Sequence, residues 1–590
     1  MRFPRKVAIA LTLIIAMSQW AAAQVLDQVP ESSLVVVKVK NLADTSAKLG
    51  AFFKELGVDQ MMPELADPLA ALKTHLNIQN GLDEKGELAF VFIDPTVSGV
   101  DDEHSMILLI PVSDYKAFTA NFADAKTEGD VTEVKFPNEP DASFMSPWGK
   151  FAAISPSKDV LGKKPAAGVK LKGLTAKELS SKDAIIYVNM TAVRAKALPE
   201  LKNSRDEIMD KIAGEMQGDR EKYAPIAKSV VGQLITIAQR YLEDASSATY
   251  GVSFTPTGIS GTLMTEFEPG TYGDSVVRKV VNSDDSMLSG IPNTKYIFYG
   301  GAVTTPAVSI QLIDDAVNPI MKDLAALGDD AKPVLAYLEA MKKGVAATKG
   351  GTFGMIVPSG NLGQDSILQF VETIYGDSKI IGESQATMIQ TQQDLMKSFQ
   401  SANMQQKMTF TPAVKTIDGV ALDEIKSEFD GDPNNPQAAQ AQQMMKMMYG
   451  QDGMKILSGS IDGQTRVMSV AASDDIVQQL ITAAKTKDTG LAKSDIVAGV
   501  AGELPKKRVM VAYLAVDNLI TTGLKYAGAM GMNLPINLPP NQPPVGMSMG
   551  TEEGAIRIDT FVPTQLVKSI TAAVIQFQMQ MQGGGQGGGM

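Results

Sequence analysis

Apolar positions along this 590-residue chain fall into short runs and helical stripes, and one arrangement of them returns four times. An apolar residue, usually with proline next to it, is followed by three polar or charged residues and then by a strand-like run. The pattern reads Val29-Pro30 before Leu34-Val35-Val36-Val37, and Leu179-Ser180 before Ala184-Ile185-Ile186-Tyr187-Val188. It returns as Ile291-Pro292 before Tyr296-Ile297-Phe298-Tyr299, and as Leu504-Pro505 before Val509-Met510-Val511. Four occurrences at one internal spacing predict a repeated unit.

Further pairs extend the match. A hairpin-like stretch from Trp148 to Ser155 leads into Ser157-Lys158-Asp159-Val160-Leu161, and Asp462 to Met468 leads into Ser473-Asp474-Asp475-Ile476-Val477. Both read as a strand followed by a capped helix. Gly173-Leu174 with Ala176-Lys177, and Gly490-Leu491-Ala492-Lys493, come next in each case. Hairpins at Gly251 to Phe254, turning at Gly258, and at Gly546 to Met549, turning at Gly554, then close the comparison. The expectation is a tandem duplication, residues 24–286 and 287–582, with the strands starting at Leu34 and Tyr296 equivalent and those at Ala184 and Val509 equivalent.

Within a unit, a strand is followed by an amphipathic helix and then by antiparallel strands. Asp44 or Thr45 is placed to cap a helix whose Leu49, Phe52, Phe53 and Leu56 share one face, with Gly57 as its stop. Ser113-Asp114 likewise precedes Tyr115, Phe118 and Phe122. Alternating strands joined by hairpins and covered by helices on one side make an α+β protein built on antiparallel sheet. The halves differ in their insertions: long helical stretches at 191–246, and a Gln- and Met-rich segment at about 384–451. Leu534 to Pro544 reads as an extended Pro-rich loop.

The two ends carry other signals. Arg2, Arg5 and Lys6, the apolar run Val7 to Met17 and the small residues Ala21-Ala22-Ala23 are the three parts of a secretory signal peptide over residues 1–23, so the mature chain is expected to begin at Gln24 in a periplasmic or extracellular location. No twin arginine precedes the apolar run, which favours export of an unfolded chain without a preloaded cofactor. Residues 583–590 are a Gly-rich tail, predicted to be disordered.

Composition narrows the chemistry. The whole chain carries 54 Lys+Arg against 66 Asp+Glu, and the leader holds three of the basic residues and none of the acidic ones, leaving a mature net charge of −15. Such a chain repels phosphate backbones and anionic membranes, so nucleic acid is not expected as a partner. The absence of cysteine excludes disulfides, thiolate metal sites and a cysteine nucleophile. Apolar runs after residue 23, such as Leu88 to Ile93 and Met106 to Ile110, are strand-sized, so no transmembrane helix is expected after signal removal.

Each candidate for chemistry has a competing structural explanation. Gly546-Met547-Ser548-Met549-Gly550 fits the G-x-S-x-G motif, but it alternates like a strand and no histidine follows it. His75 borders a helix begun by Asp67-Pro68, and His104 ends the acidic run Asp101-Asp102-Glu103, too far apart in sequence to suggest a zinc site. Asp430-Gly431-Asp432-Pro433-Asn434 begins like a calcium loop, yet the required glycine and glutamate are replaced by Asn435 and Ala441. Met444, Met445, Met447 and Met448 offer soft ligands, but the chain's 32 methionines favour adaptable packing. Asp314-Asp315 and Asp329-Asp330 could serve a glycosidase, which needs two carboxylates about 5 to 10 Å apart, but a solvated face explains them, and Trp148, the one tryptophan after the leader, is read as a strand-edge residue at the hairpin.

This organisation resembles uncharacterised exported bacterial proteins with repeated strand-helix-hairpin units, a resemblance that supplies no site residues. No catalytic, cofactor-binding or metal-binding residue is assigned. The expected function is that of a non-catalytic scaffold or binding protein with a protein or apolar small-molecule partner. A carrier of apolar ligands such as lipids is the alternative, with a carboxylate-dependent hydrolase third. An apolar cavity or groove would favour the carrier, and a cleft of convergent carboxylates the hydrolase.

Overall fold

The computed structural model describes residues 25–583 apart from 138–140, 172, 217–220, 222, 359–365, 367–368, 400–403, 432–439, 441, 443–445, 447, 451–452, 530 and 533–535. Residues 1–24, where the sequence suggests a signal peptide, and those beyond 583 lie outside the described residues. By its internal contacts the chain forms two units. The first takes residues up to 200, 241–278 and 552–572, and the second takes 201–240, 279–551 and those after 572.

The first unit is an antiparallel sheet built from β1 (Ser33–Val39), β2 (Leu88–Ile93), β3 (Met106–Pro111), β4 (Lys126–Glu128), β5 (Val131–Val134), β6 (Ser143–Trp148), β7 (Phe151–Ser155), β8 (Ala184–Asn189), β9 (Ala245–Phe254) and β10 (Gly258–Phe267), joined by β20 (Ala555–Pro563). Pairing runs in the order β20-β10-β9-β8-β1-β2-β3-β7-β6-β5-β4. The second unit holds β11 (Tyr296–Val303), β12 (Thr348–Ile356), β13 (Gln369–Gly376), β14 (Met404–Ile417), β15 (Val420–Gly431), β16 (Met454–Asp462), β17 (Thr465–Val470), β18 (Met510–Leu514) and β19 (Val545–Glu552). Its antiparallel order is β19-β18-β11-β12-β13-β17-β16-β15-β14. The four motif strands of the sequence are thus two adjacent pairs, β1 with β8 and β11 with β18.

Both faces of the first sheet are covered in part, where the sequence pattern suggested one. Strand alternation sends Val36 and Val39 to opposite sides. Val36 joins Val25, Leu26, Val160, Leu161 and Leu179 on one face, while Val39 joins Leu42, Leu49 and Leu69 on the other. The helix Leu42–Leu56 begins earlier than Asp44: Asn41 is its cap, its side chain accepting the Asp44 N–H at 3.1 Å. Gly57 ends it in the left-handed conformation at φ 71°, as its position implied. In the second unit the helices Pro306–Ala325 and Lys332–Ala347 pack together through Ile320, Leu324, Leu335 and Leu338.

Candidate functional site

Register in the first sheet lines up one apolar residue from each of eight strands. Ile154, Leu108, Phe90, Val37, Ile186, Tyr250, Leu263 and Ile558 pair in that order across β7, β3, β2, β1, β8, β9, β10 and β20. Side chains on directly paired residues point to the same face, so the row is one continuous apolar band. Val39, Leu88, Val252, Phe254 and the helix Leu42–Leu56 wall it on one side. Met190, Phe267 and Val277, with Val188, Ala248 and Ile556, wall it on the other. Between these walls Tyr250 and Leu263 are each 45% exposed. Tyr241 lies beside them, its hydroxyl 2.8 Å from that of Thr265 and its ring edge-on to Phe267 at 5.9 Å. Ile154 and Val37 of the band are buried, so its exposed part is Tyr250 and Leu263 with Tyr241, and large apolar side chains exposed side by side mark a binding surface more often than isolated ones do.

The second sheet carries a band of the same kind. Met547, Ala512, Gly300, Phe353, Glu372 and Met468 pair in that order across β19, β18, β11, β12, β13 and β17. A parallel row, Val545, Leu514, Phe298, Met355, Phe370 and Val470, is apolar throughout, and Phe370 is exposed. A Cβ on residue 300 would sit 3.0 Å from the Phe353 ring, so glycine there leaves room for that ring to lie over β11. Phe298 and Phe353 meet at 5.8 Å between centroids. The band ends at Ser458, opposite Met468, under Gln385 of the helix Ser378–Phe399.

Two clusters of charged side chains lie outside the bands, and both are paired. Lys38 and Glu87, 2% and 3% exposed, form an ion pair at 2.7 Å, and Lys38 Nζ also donates to the Leu179 carbonyl at 3.0 Å. Burial raises the Glu87 pKa, against the opposing pull of Lys38 and the Val25 N–H. A second network runs from Lys182 through the Thr262 hydroxyl to Asp559, then through Arg557 to Glu178. Burial alone would lower the Arg557 pKa, but its bond to Asp559 and the charges of Asp559, Glu178 and Glu552 raise it above the ordinary guanidinium value. Each acid in this network faces a cation, the arrangement of a structural ion-pair cluster. Among the described residues of the second unit, a polar cavity of about 280 Å³ lies against Gln369, Lys415 and Glu424, and another of about 410 Å³ against Arg205, Lys228 and Asp323.

The residues singled out in the sequence do not come together. Ser548 is buried in mid-strand opposite Val511, away from the strand-to-helix turn of a nucleophile elbow. His75 is the exposed last residue of the helix Pro68–His75. His104 is exposed too, its ring bonded to Asp101, whose pKa that bond lowers. Asp314 pairs with Lys342 at 2.7 Å and Asp329 with Lys332 at 2.7 Å. Asp430 and Gly431 end β15, while Asp432, Pro433, Asn434, Asn435 and Ala441, with Met444, Met445 and Met447, lie outside the described residues. Trp148 ends β6 at the hairpin, opposite Phe151, and is fully buried in the same core as Val36 and Leu109, which corrects its reading as a strand-edge residue. Among the described residues no three His, Asp or Glu side chains are grouped to hold a metal ion, and no helix is long and apolar enough to cross a membrane. Sequence reasoning missed Tyr250, Leu263, Phe353 and Glu372. The alternation Ala248, Tyr250, Val252, Phe254 was the available signal, but it marks a face without saying whether a helix covers it.

No family model matches the chain, and no curated protein matches it. Crystal structures of TP0453 in crystal forms III, IV and I align with 48%, 50% and 49% of this chain and with 97%, 98% and 97% of their own. Identity is 9%, 8% and 8%, and the TM-scores of 0.18, 0.17 and 0.18 are too low to carry an argument.

Proposed function

We propose that this chain is an exported, non-catalytic binding protein that carries ligands with apolar chains on the open faces of its two sheets. The observation that supports this most is the walled band through Tyr250 and Leu263, where two large apolar side chains face outward between flanking helices and loops. Covering them would remove apolar surface from water at roughly 25 cal/mol per Å². Flat rows of Met, Phe, Leu and Ile suit a flexible chain better than a rigid polar substrate. The cavities against Gln369 and against Arg205 are polar, so the reading rests on the faces.

The pairing orders also favour an origin by duplication. Placing β11 on β1 puts β18 on β8, β19 on β9, β12 on β2, β13 on β3 and β17 on β7. The rows then align, Phe353 with Phe90, Met468 with Ile154 and Met547 with Tyr250. Two copies of one binding face would account for this better than two unrelated ones.

A fluorescent fatty acyl probe titrated into the mature protein tests the proposal. Saturable binding that weakens at least tenfold in Leu263→Lys, with an unchanged circular dichroism spectrum, is the expected result. No saturable uptake by the folded protein would defeat the carrier reading and leave a scaffold that meets protein partners.

A further inference from the structure

One carboxyl group stands in the second apolar band. Glu372 is half-buried on β13 between Phe353 and Met468, with Met355 and Phe370 one row away. The described residues offer its carboxyl group no hydrogen bond and no ion pair. Arg466, two residues from Met468 on β17, is engaged elsewhere: Nη2 meets Asp423 at 3.3 Å and Nε meets the Ser458 hydroxyl at 2.9 Å. Gly382 lies so close that a Cβ there would fall 2.7 Å from the guanidinium, so that end of the band is closed around Arg466. In the aligned row of the first unit the position belongs to Leu108, an apolar residue at the matching place.

An unpaired acid in an apolar surface is destabilising unless something supplies it with charge or a donor. Burial raises the Glu372 pKa, and no neighbouring cation or hydrogen bond counters that effect. Tyrosine or serine beside it would have satisfied it within the fold; Phe353, Met468, Met355 and Phe370 do not.

We propose that the second sheet face binds a primary-ammonium amphiphile, its apolar chain along the Met and Phe rows and its ammonium group on the Glu372 carboxylate. This rests on the carrier reading and adds to it the polar end of the ligand. A long-chain alkylamine has the required chemistry: three N–H donors and one positive charge at the end of a flexible hydrocarbon. The pairing would form in a partly dry site, where a charge-assisted hydrogen bond is stronger than on an open surface. The first face, which has Leu108 at the matching position, would accept the chain without this preference.

The test compares dodecylamine, dodecanol and dodecanoate by titration calorimetry with the full mature chain, in the parent and in Glu372→Gln. The expected result is that the parent binds dodecylamine at one site at least tenfold more tightly than dodecanol, and that Glu372→Gln removes this difference while both still bind. Glu372→Leu, which copies the first unit's Leu108, should behave the same way and guards against a fold-specific effect of glutamine. Equal binding of all three probes, or a preference for dodecanoate, would overturn the ammonium site while leaving the carrier reading in place. Binding of none of them would remove both.

Discussion

Tyr250 and Leu263 face each other directly across β9 and β10, and both are left 45% exposed although their neighbours Val252 and Met264 are buried. Paired apolar residues of this size contribute more when covered, so this register is informative about what the face meets. Introducing a charge at either position should disturb the face and spare the core. Leu263→Lys is expected to weaken acyl-probe binding at least tenfold with a change in stability within about 1 kcal/mol, since surface substitutions of this kind seldom do more. Titration beside urea unfolding checks both halves of that statement.

Lys38 and Glu87 make the opposite case, a pair closed off from water. Lys38→Met would leave Glu87 buried without its cation and should cost about 3–5 kcal/mol in urea unfolding. Replacing both, Lys38→Met with Glu87→Leu, should recover most of that loss, because the uncompensated charge is removed as well. A double variant no more stable than the single one would show that the pair's packing, and not its charge balance, is what matters.

Trp148 is the largest fully buried side chain of the first unit, so Trp148→Ala should cost about 3–5 kcal/mol. Chemical unfolding followed by circular dichroism reads this directly. A loss under about 1 kcal/mol would mean that the surrounding core collapses to fill the space.

Glu372 gives a pH dependence with a definite sign. Its pKa is raised in the folded state, so between the ordinary glutamate value and that raised value the folded chain holds more proton than the unfolded one. Its contribution to stability is therefore present at low pH and lost as pH rises through that window. Glu372→Gln should be more stable than the parent at about pH 8, with the difference shrinking towards pH 4. A constant difference across that range would place its cause outside the carboxyl group.

Ser548→Ala should leave acyl-probe binding, and any hydrolytic rate detected, unchanged. Ser548 is buried in mid-strand opposite Val511, and no histidine follows it in the sequence. A drop of roughly two orders of magnitude in a hydrolytic rate with the fold intact would contradict that assignment, being the scale a true nucleophile shows.

Much of the fold was legible because strands and caps are local. The four apolar runs became β1, β8, β11 and β18, Gly57 stopped its helix, and Asp114 capped the short helix Tyr115–Thr119 through the Lys116 and Ala117 N–H groups. The cap at Asn41 was missed because Asn, Asp and Thr all suit that role and three of them crowd the same turn. The candidate faces were less legible. Tyr250 reaches Leu263 through a hairpin, but Leu263 reaches Ile558 across nearly three hundred residues, and no local pattern encodes that pairing. Glu372 was hidden for the same reason, since its apolar neighbours Phe353 and Met468 come from other strands.

A carrier should leave its compartment with an apolar-chain ligand on its sheet faces. Native mass spectrometry of protein recovered from the exported fraction, before and after solvent extraction, measures this most directly. The expected result is a mass excess in the unextracted protein, its release as a long-chain amphiphile into the solvent, and its reduction in Leu263→Lys. Unextracted protein whose mass already equals that of the chain from Gln24, with no uptake when long-chain amphiphiles are added back, would contradict it.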